Sequence, residues 1–290
     1  MADLNPLGEG PVTLVSSAWV MARLEEGSIQ IVDCQPNVHD YIQEHLPRAV
    51  YVNEGLFRSH EGGHPARWVA PEAIRPVLNA AGLEPETPVV VYTGVGVSRG
   101  WGEGLGQTMV AYSLARYGHR CVHVLDGGID RWKAEGRPLS QAFPVPAATS
   151  FPVSVRRDYG IGHEELVRIK DLPGVVLLDA RPPALYEGKG PWVRPGHIPG
   201  AVNLPWARLM DPDNRSLLKP LAEIEFLLQE KGVSRDKTIV CSCGTGREAT
   251  NEFLLLRFYL GFPDVRIHEG AFTEWVSDPA NPTVTGKNPR

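Results

Sequence analysis

One segment of the chain combines a nucleophile with a backbone geometry that could activate it. The β-branched, apolar run 238–242 ends directly before Cys243. Gly244 and Gly246 then permit a tight loop, and an apolar pattern typical of a helix begins at Ala249. A cysteine between a strand end and a helix start faces backbone N–H groups and the positive end of the helix dipole. The pattern therefore predicts that Cys243 is a nucleophile that favours the thiolate form.

Other groups of the same loop could act on a substrate. The backbone N–H groups around Gly244 and Gly246 could stabilise a sulfur anion as an oxyanion hole does for oxygen, and Thr245 could add a hydroxyl donor. Arg247 could hold an anionic donor by charge-assisted hydrogen bonds; the alternative is an exposed arginine in the first helical turn. Glu248 would raise the pKa of the thiol if it faced the sulfur, so we expect it to turn away and pair with an arginine.

Several neighbouring polar residues have simpler structural interpretations. Asp179 and Arg181 follow a predicted strand and are expected to form an ion pair. His197 is expected to bond to the backbone and shape its turn. Cys241 lies two residues before Cys243 on one strand, a spacing that rarely permits a disulfide, so a buried core position is expected.

Composition limits the classes of function. The chain has 290 residues, which favours two domains, and its net charge of -5 argues against a general nucleic-acid binder. The four cysteines form neither a disulfide framework nor a metal-binding spacing, so no cofactor and no metal is implied. We see no signal peptide and no apolar run long enough to span a membrane, and we expect a cytoplasmic protein with no membrane or nucleic-acid partner.

The sequence contains an internal repeat. A series in the first half recurs 143 positions later: Gly118, Val122, Asp126, Gly127, Gly128 and Trp132 match Gly261, Val265, Glu269, Gly270, Ala271 and Trp275. Both tryptophans are expected in the core. Helical and strand patterns alternate in both halves, which predicts two α/β domains, each an open, mainly parallel sheet flanked by helices. We place the first domain at residues 1–140, a proline-containing linker at 141–158 and the second domain at 159–290.

The element predictions follow from periodicity and from glycine and proline positions. Helices are predicted at 18–26, 71–81, 108–117, 163–170 and 222–231, and strands at 29–33, 89–92, 122–125, 175–179 and up to Cys243. Residues 54–68 are rich in glycine, histidine and charge and are interpreted as a loop. Residues 94–106 are interpreted as a glycine-rich stretch.

These features together resemble the rhodanese (sulfurtransferase) family in its tandem two-domain form. The resemblance rests on residues 178–181, 196–201 and 243–248 and on the closing glutamate, glycine and tryptophan, and it spans roughly residues 12–280. It implies a rhodanese fold for both domains and a catalytic cysteine, Cys243, in the second. The first domain has Thr93 and Gly94 at the equivalent position, and a threonine cannot hold a persulfide, so that domain is expected to be catalytically silent.

The resemblance also implies an activity and further site residues. Cys243 would take a sulfane sulfur from a small anionic donor and pass it to cyanide or a thiol, including one on a thioredoxin-like protein. Family members often bring a basic residue of the 186–196 loop to the donor, which makes Arg194 and Lys189 candidates, although Leu185 stands where many members have an arginine. Charged Arg247 and Glu248 favour thiosulfate as donor, with 3-mercaptopyruvate as the alternative.

The sequence features leave two functions of other classes to compare with sulfur transfer. Phosphatases of this fold have an arginine six residues after the cysteine, and Ala249 occupies that position here, so the loop is too short to cradle a phosphate. A non-enzymatic sulfur carrier or regulatory module would share the sequence features of the enzyme.

Overall fold

The computed structural model describes residues 5–96 and 104–290, so part of the glycine-rich 94–106 stretch lies outside the described residues. The first half contains seven strands and five helices within the described residues. Their bounds, in chain order, are β1 (Val12–Val15), α1 (Ser17–Glu26), β2 (Gln30–Asp33), α2 (Val38–Gln43), β3 (Ala49–Tyr51), β4 (Arg58–Glu61), β5 (His64–Trp68), α3 (Pro71–Ala80), β6 (Val89–Tyr92), α4 (Gly106–Arg116), β7 (Val122–Leu125) and α5 (Gly128–Ala134).

The second half repeats the alternation. Its elements are β8 (Gly160–Ile161), α6 (His163–Ile169), β9 (Val175–Asp179), α7 (Pro183–Tyr186), β10 (Val202–Asn203), α8 (Leu221–Glu230), β11 (Thr238–Ser242), α9 (Ala249–Leu254), β12 (Val265–His268) and α10 (Ala271–Ser277). A π-helical segment, Leu255–Tyr259, continues α9. Short 3-10 helices cover Glu54–Phe57, Arg157–Tyr159 and Trp206–Leu209.

Each half forms a five-stranded sheet whose paired strands are all parallel. The strand orders are β1-β7-β6-β2-β3 and β10-β9-β11-β12-β8. The central strands β6 and β11 are apolar and β-branched because helices cover both faces of a parallel sheet. Their carboxyl ends lie at the edge where loops of an open α/β sheet form binding sites, and Cys243 directly follows β11. The predicted fold class is confirmed.

Residues 54–68 contradict the sequence-based interpretation as a loop. They form a 3-10 turn and the antiparallel hairpin β4–β5, which forms a separate two-stranded sheet. The hairpin packs against the second domain: His64 Nε2 donates to the Gly270 carbonyl at 3.1 Å, and Arg67 Nη2 lies 2.5 Å from Glu274 Oε1. An exposed, charged segment acquires this structure because it docks on the other domain.

The second domain contacts the first in a corresponding way. Its segment 211–218 lies against the carboxyl end of the first sheet, where Ser216 O accepts from the Gly127 N–H at 2.9 Å and from Gln107 Nε2 at 3.1 Å. The Leu218 N–H donates to Asp126 Oδ1 at 2.9 Å. Each domain therefore extends a loop onto the strand ends of the other.

The two domains also share apolar packing. One continuous buried cluster runs from β1 and α4 of the first domain to α9 and β11 of the second. Trp132 and Trp275 are fully buried as predicted, and each donates its indole N–H to a proline carbonyl at 2.8 Å. Among the described helices, none is both long and apolar enough to cross a membrane.

Candidate active site

Cys243 lies where β11 gives way to the loop that leads into α9. Its side chain is fully buried, and its Sγ accepts a hydrogen bond from the Gly246 N–H at 3.0 Å. Its carbonyl accepts from the Phe272 N–H at 2.9 Å, which ties the loop to the start of α10. The backbone of this loop therefore turns back onto the sulfur, as the two glycines predict.

Both glycines of the loop are required by close neighbours. Gly246 has φ +87°, and a Cβ there would lie 2.9 Å from the Glu269 carbonyl oxygen and 3.1 Å from the Trp68 ring. At Gly244 a Cβ would lie 2.9 Å from the Trp192 ring. The indole of Trp192 is held over the loop because its Nε1 donates to Thr273 Oγ1 at 2.9 Å. Larger residues would push the loop away from both rings.

Glu248 faces the thiol, which contradicts the expectation that it turns away. It is 4% exposed, and its carboxyl group is close enough to act on the pKa of Cys243. Burial raises the pKa of the Cys243 thiol well above its ordinary value, and the charge and hydrogen bond of Glu248 raise it further. The N–H groups of Ala249 and Thr245 oppose this shift. Burial and Glu248 thus oppose ionisation of the thiol, whereas the N–H of Gly246 that donates to Sγ favours it, and the preference for the thiolate stays a prediction.

A cation from the first domain lies against this loop. Arg58, on β4, donates through Nη2 to the Thr245 carbonyl and through Nε to Ala66 O at 3.0 Å. Its guanidinium stacks 4.4 Å from the Trp68 ring centroid. Burial lowers the pKa of Arg58, while the negative charge of Cys243 favours its protonated form. Sequence reasoning missed Arg58 because no local pattern shows that the 54–68 segment crosses to the other domain.

Arg247, the cation of the Cys243 loop itself, is held by the same 54–68 segment. Arg247 Nε lies 2.5 Å from Glu54 Oε1, across the domain boundary. The second Glu54 oxygen is buried without a hydrogen-bond partner among the described residues. Arg247 is thus oriented by the first domain rather than extended into solvent.

Asp179 and Arg181 form the predicted structural ion pair. Both are buried, and Arg181 Nη2 lies 2.5 Å from Asp179 Oδ2 and 2.9 Å from the Gly196 carbonyl. The Arg181 guanidinium lies 4.2 Å from the Phe272 ring centroid and 5.1 Å from that of Trp192. The pair therefore supports the wall of the site next to Gly244.

Comparisons with known proteins show which family the chain belongs to. A family model described as the rhodanese-like domain matches residues 16–135 and again residues 162–278. The chain belongs to the rhodanese family. A relative from Synechococcus elongatus is 34% identical over 276 residues, covering 92% of this chain and 83% of its own. The thiosulfate sulfurtransferase of Azotobacter vinelandii is 31% identical and covers 93% of this chain and 96% of its own length. The solved structure of SseA from Escherichia coli, described as a 3-mercaptopyruvate sulfotransferase, matches with a TM-score of 0.77 and 25% identity, over 89% and 98% of the two chains.

The first copy of this rhodanese has Thr93 at the position equivalent to Cys243. Thr93 is fully buried, and its hydroxyl donates to the Cys34 carbonyl at 3.1 Å. The Ile129 N–H donates to Thr93 O at 2.9 Å, which matches the bond from Phe272 to Cys243 in the second copy. The bond from the start of the following helix to the strand end is thus retained in the first copy, where a threonine stands in place of the cysteine.

The basic candidates of the 186–196 loop are placed differently from the substrate-binding expectation. Arg194 donates to four backbone carbonyls, those of Val276, Asp278, Pro279 and Asn281, at 2.5–3.0 Å. Its guanidinium is therefore committed to the end of α10. Lys189 is exposed. The loop contributes Trp192 to the site instead, through its contact with Gly244.

His197 and Cys241 have the expected structural roles in this rhodanese. His197 hydrogen-bonds the carbonyls of Tyr186 and Asn288 at 2.9 and 3.1 Å. Cys241 is fully buried, and both cysteines of the strand are free.

One group of metal-ligand side chains comes together within the described residues. Donor atoms of His163, His268 and Glu274 all lie within 4.8 Å of one another. Glu274 already binds Arg67, and its other oxygen lies 3.2 Å from His268 Nε2. Burial would raise the pKa of Glu274, but His268 and Arg67 lower it to about 2. We therefore assign this group to the contact between the domains.

Proposed function

We propose that this rhodanese transfers a sulfane sulfur from a small anionic donor to a thiophilic acceptor through a persulfide on Cys243. The observation that carries the proposal is the Cys243 Sγ at the end of β11, within a loop whose Gly246 N–H donates to it at 3.0 Å. A persulfide places an anionic sulfur one bond beyond Sγ, where loop N–H groups and Arg58 can stabilise it. No metal or redox cofactor is needed for this exchange.

The proposal assigns roles to the two domains. Residues 159–290 supply the nucleophile and its loop, and residues 1–140, joined through a linker at 141–158, supply Arg58, Glu54 and Trp68. The first domain is catalytically silent in this scheme because Thr93 cannot carry a persulfide. It nevertheless forms one wall of the site.

Arg247 is proposed as the group that binds the donor anion. Glu54 fixes its Nε, which leaves the two terminal nitrogens of the guanidinium to meet an anion. Thr245 and the N–H groups of Gly244 and Gly246 complete the binding loop. Lys189 is exposed at its margin, and Arg194 supports the site from the end of α10. Thiosulfate is the favoured donor, and 3-mercaptopyruvate the alternative; the names of the relatives include both.

The acceptor is proposed to be cyanide or a thiol, including one on a thioredoxin-like protein, in the cytoplasm. Because Cys243 is fully buried and its loop lies against Arg58, Trp68 and Trp192, an acceptor protein would have to insert a slender nucleophile between the domains. The names of the relatives do not specify this partner.

Intact-mass spectrometry tests the function directly. The protein is incubated with thiosulfate, and separately with 3-mercaptopyruvate, and then with cyanide. We expect a gain of one sulfur atom that cyanide removes, that is absent in Cys243→Ser and that persists in Cys241→Ser. A folded Cys241→Ser variant as inactive as Cys243→Ser would contradict a single nucleophile. No gain with either donor would overturn the proposed function.

A further inference from the structure

Arg181, in the wall of the Cys243 site, has one nitrogen atom that its contacts within the protein leave unused. The side chain has no exposed surface, and its Nε and Nη2 atoms donate to the carboxylate of Asp179. Nη2 also donates to the Gly196 carbonyl at 2.9 Å. Nη1 is buried too and has no hydrogen-bond partner among the described residues. Buried polar groups are nearly always hydrogen-bonded, and a charged group left without a partner is costly, so this nitrogen is a candidate contact for a ligand.

The first copy of the domain shows that the bonds within the protein do not require an arginine. Gln35 stands at the equivalent position there, two residues after the buried Asp33. Its Nε2 donates to Asp33 Oδ2 at 3.0 Å and to the Glu44 carbonyl at 3.3 Å, so it bonds an aspartate and a backbone carbonyl as Nη2 of Arg181 does. An amide therefore supplies both bonds in the copy that lacks the cysteine. Beyond them, the arginine adds a positive charge and the unpartnered Nη1.

The unpartnered nitrogen lies on the side of Arg181 that is next to the Cys243 loop. In a guanidinium, Nη1 is on the same side as Cδ, whereas the N–H of Nε and Nη2 form the other edge, which Asp179 occupies here. The Cδ atom lies 3.6 Å from the position that a Cβ of Gly244 would take. Nη1 is therefore on the Gly244 side of the guanidinium, and Gly244 directly follows the nucleophile.

The indole of Trp192 covers this part of the site. The ring lies between two glycines, because a Cβ would be 2.9 Å from it at Gly244 and 2.6 Å from it at Gly190. The guanidinium carbon of Arg181 is 5.1 Å from the ring centroid, a cation–π contact that partly offsets the burial of the charge. Trp192 itself is partly exposed, and its Nε1 donates to Thr273 Oγ1 at 2.9 Å. The indole therefore separates the guanidinium from solvent.

The segment that carries Trp192 is anchored at both ends. Tyr186 is buried and donates to the Ala201 carbonyl at 2.7 Å. Arg194 donates to four carbonyls at the end of α10 and after it. Residues 187–193, all of them described, contain no helix or strand. A small movement of these residues can therefore lift the indole while both anchors stay in place.

We propose that Arg181 binds the anionic oxygen group of the sulfur donor through Nη1 after Trp192 has moved aside, an inference that rests on the proposed function. That group is the sulfonate of thiosulfate or the carboxylate of 3-mercaptopyruvate, and a guanidinium nitrogen can donate to either. The ion pair with Asp179 fixes the direction of Nη1, so the anion is held beside Gly244. Arg247 meets the donor at the mouth of the site, and Arg181 holds it on the Gly244 side of the loop.

Arg181→Gln tests the contact with the residue that the first copy already uses. The glutamine should keep the bonds to the aspartate and the carbonyl, as Gln35 does, and should lose Nη1. Persulfide formation is followed by intact mass in single turnovers with each donor. We expect the donor concentration that gives the half-maximal rate to rise about tenfold, and the rate at saturation to fall by less than about threefold. The donor with the larger increase carries the anion that Arg181 prefers. An unchanged half-saturating concentration with both donors, or a loss confined to the saturated rate, would overturn the proposal.

Arg266→Gln is the matched control. Arg266 also pairs with an aspartate two residues before it, because its Nε donates to Asp264 Oδ1 at 3.2 Å, but this pair lies at the amino end of β12. The variant should change neither quantity. An equal increase in the half-saturating concentration in Arg266→Gln and Arg181→Gln would overturn the proposal, because it would assign the effect to the loss of any such pair.

Quenching of tryptophan fluorescence by acrylamide tests the movement of Trp192 with Arg181 intact, which covers the case in which Arg181→Gln does not fold. It is measured on Cys243→Ser, which cannot form a persulfide. Thiosulfate or 3-mercaptopyruvate should increase the quenching, and the increase should disappear when Trp192→Phe is added. Quenching that neither donor changes would overturn the proposal. A wild-type protein that forms no persulfide with either donor would overturn the proposed function itself, whereas equal half-saturating concentrations in wild type and Arg181→Gln overturn only the role of Arg181.

Discussion

The Nε atom of Arg247 lies 2.5 Å from Glu54 Oε1, so an arginine of the Cys243 loop is oriented by an acid of the opposite domain. Both side chains are about a quarter exposed, and the contact therefore sits at the mouth of the site rather than in its core. A guanidinium held through Nε presents its other nitrogens in a fixed direction, which suits recognition of a compact anion.

Replacing Arg247 should weaken donor binding. In Arg247→Ala we expect the KM for thiosulfate to rise about tenfold, since a charge-assisted hydrogen bond is worth about 1.5–3 kcal/mol. Glu54→Gln, which frees the guanidinium without removing it, should raise KM less. Steady-state kinetics measure both effects, with Arg235→Ala as control because Arg235 bonds the carbonyls of Gly261 and Leu260 near the other end of β11. Unchanged kinetics in Arg247→Ala would remove this residue from the site.

Replacing Arg58 should lower the reactivity of the Cys243 thiol rather than weaken donor binding. In Arg58→Met the cation near Cys243 is lost, so the pKa of the thiol rises and the alkylation profile moves to higher pH. The rate of persulfide formation should fall by about 10- to 100-fold. Arg67→Ala is the matched control, because Arg67 lies on the same hairpin and pairs with Glu274. An equal loss in both variants would assign the effect to hairpin docking.

Arg194→Ala should reduce stability and leave catalysis intact. Its guanidinium donates to four backbone carbonyls at the end of α10 and just after it. Losing these hydrogen bonds should lower the free energy of unfolding by about 2–3 kcal/mol. Urea denaturation measures this cost, and kcat/KM measured on the folded variant should match the wild type. Lys189→Ala, an exposed change in the same loop, should alter neither quantity by much. A higher KM in Arg194→Ala at full stability would restore a donor-binding role.

Asp126→Asn should change how the free energy of unfolding depends on pH. Burial raises the pKa of Asp126 to about 6, although the Leu218 N–H and Arg131 oppose the shift. The folded state therefore binds a proton at a pH where the unfolded state, at 3.8, does not, and this stabilises the wild type as pH falls below 6. The free energy of unfolding of Asp126→Asn, taken relative to that of the wild type, should therefore rise by about 2 kcal/mol from pH 4.5 to pH 7.5.

Urea unfolding of both proteins at pH 4.5, 6.0 and 7.5 gives the relative stability directly. Comparing variant with wild type cancels the contribution of buried histidines such as His119, whose pKa burial lowers to about 4. The control is Asp213→Asn, an exposed change in the 211–218 segment that contacts Asp126. A difference that does not vary with pH would contradict the raised pKa of Asp126.

The sequence predicts the fold well because the fold depends on local periodicity and on a repeat. The runs at β6 and β11 are apolar throughout, which indicates strands covered on both faces, and the glycines and tryptophans 143 residues apart reveal the duplication. The Asp179–Arg181 pair is likewise local. At the equivalent place in the first copy, Asp33 is followed two residues later by Gln35, and burial without an arginine raises the pKa of Asp33 to about 6.

The site was only half predictable because its charges come from distant segments. Cys243 and its glycines are adjacent in sequence, but Arg58 and Glu54 reach the loop from 187 and 193 residues away. The orientation of Glu248 depends on the register at which α9 begins, and a shift of one residue would turn it from the sulfur. The carbonyls that hold Arg194 lie more than 80 residues further along the chain. No pattern along a single segment predicts these contacts between distant residues.

The exchange of loops between the two domains makes the first copy part of the proposed site. The β4–β5 hairpin packs against the Cys243 loop, and segment 211–218 packs against the strand ends of the first sheet. A gene that lost its first half would encode a nucleophile without Arg58 or Trp68, and would expose the apolar surface of α9. In the proposed scheme each half of the duplicated chain supplies different residues to one site, and neither half forms that site alone.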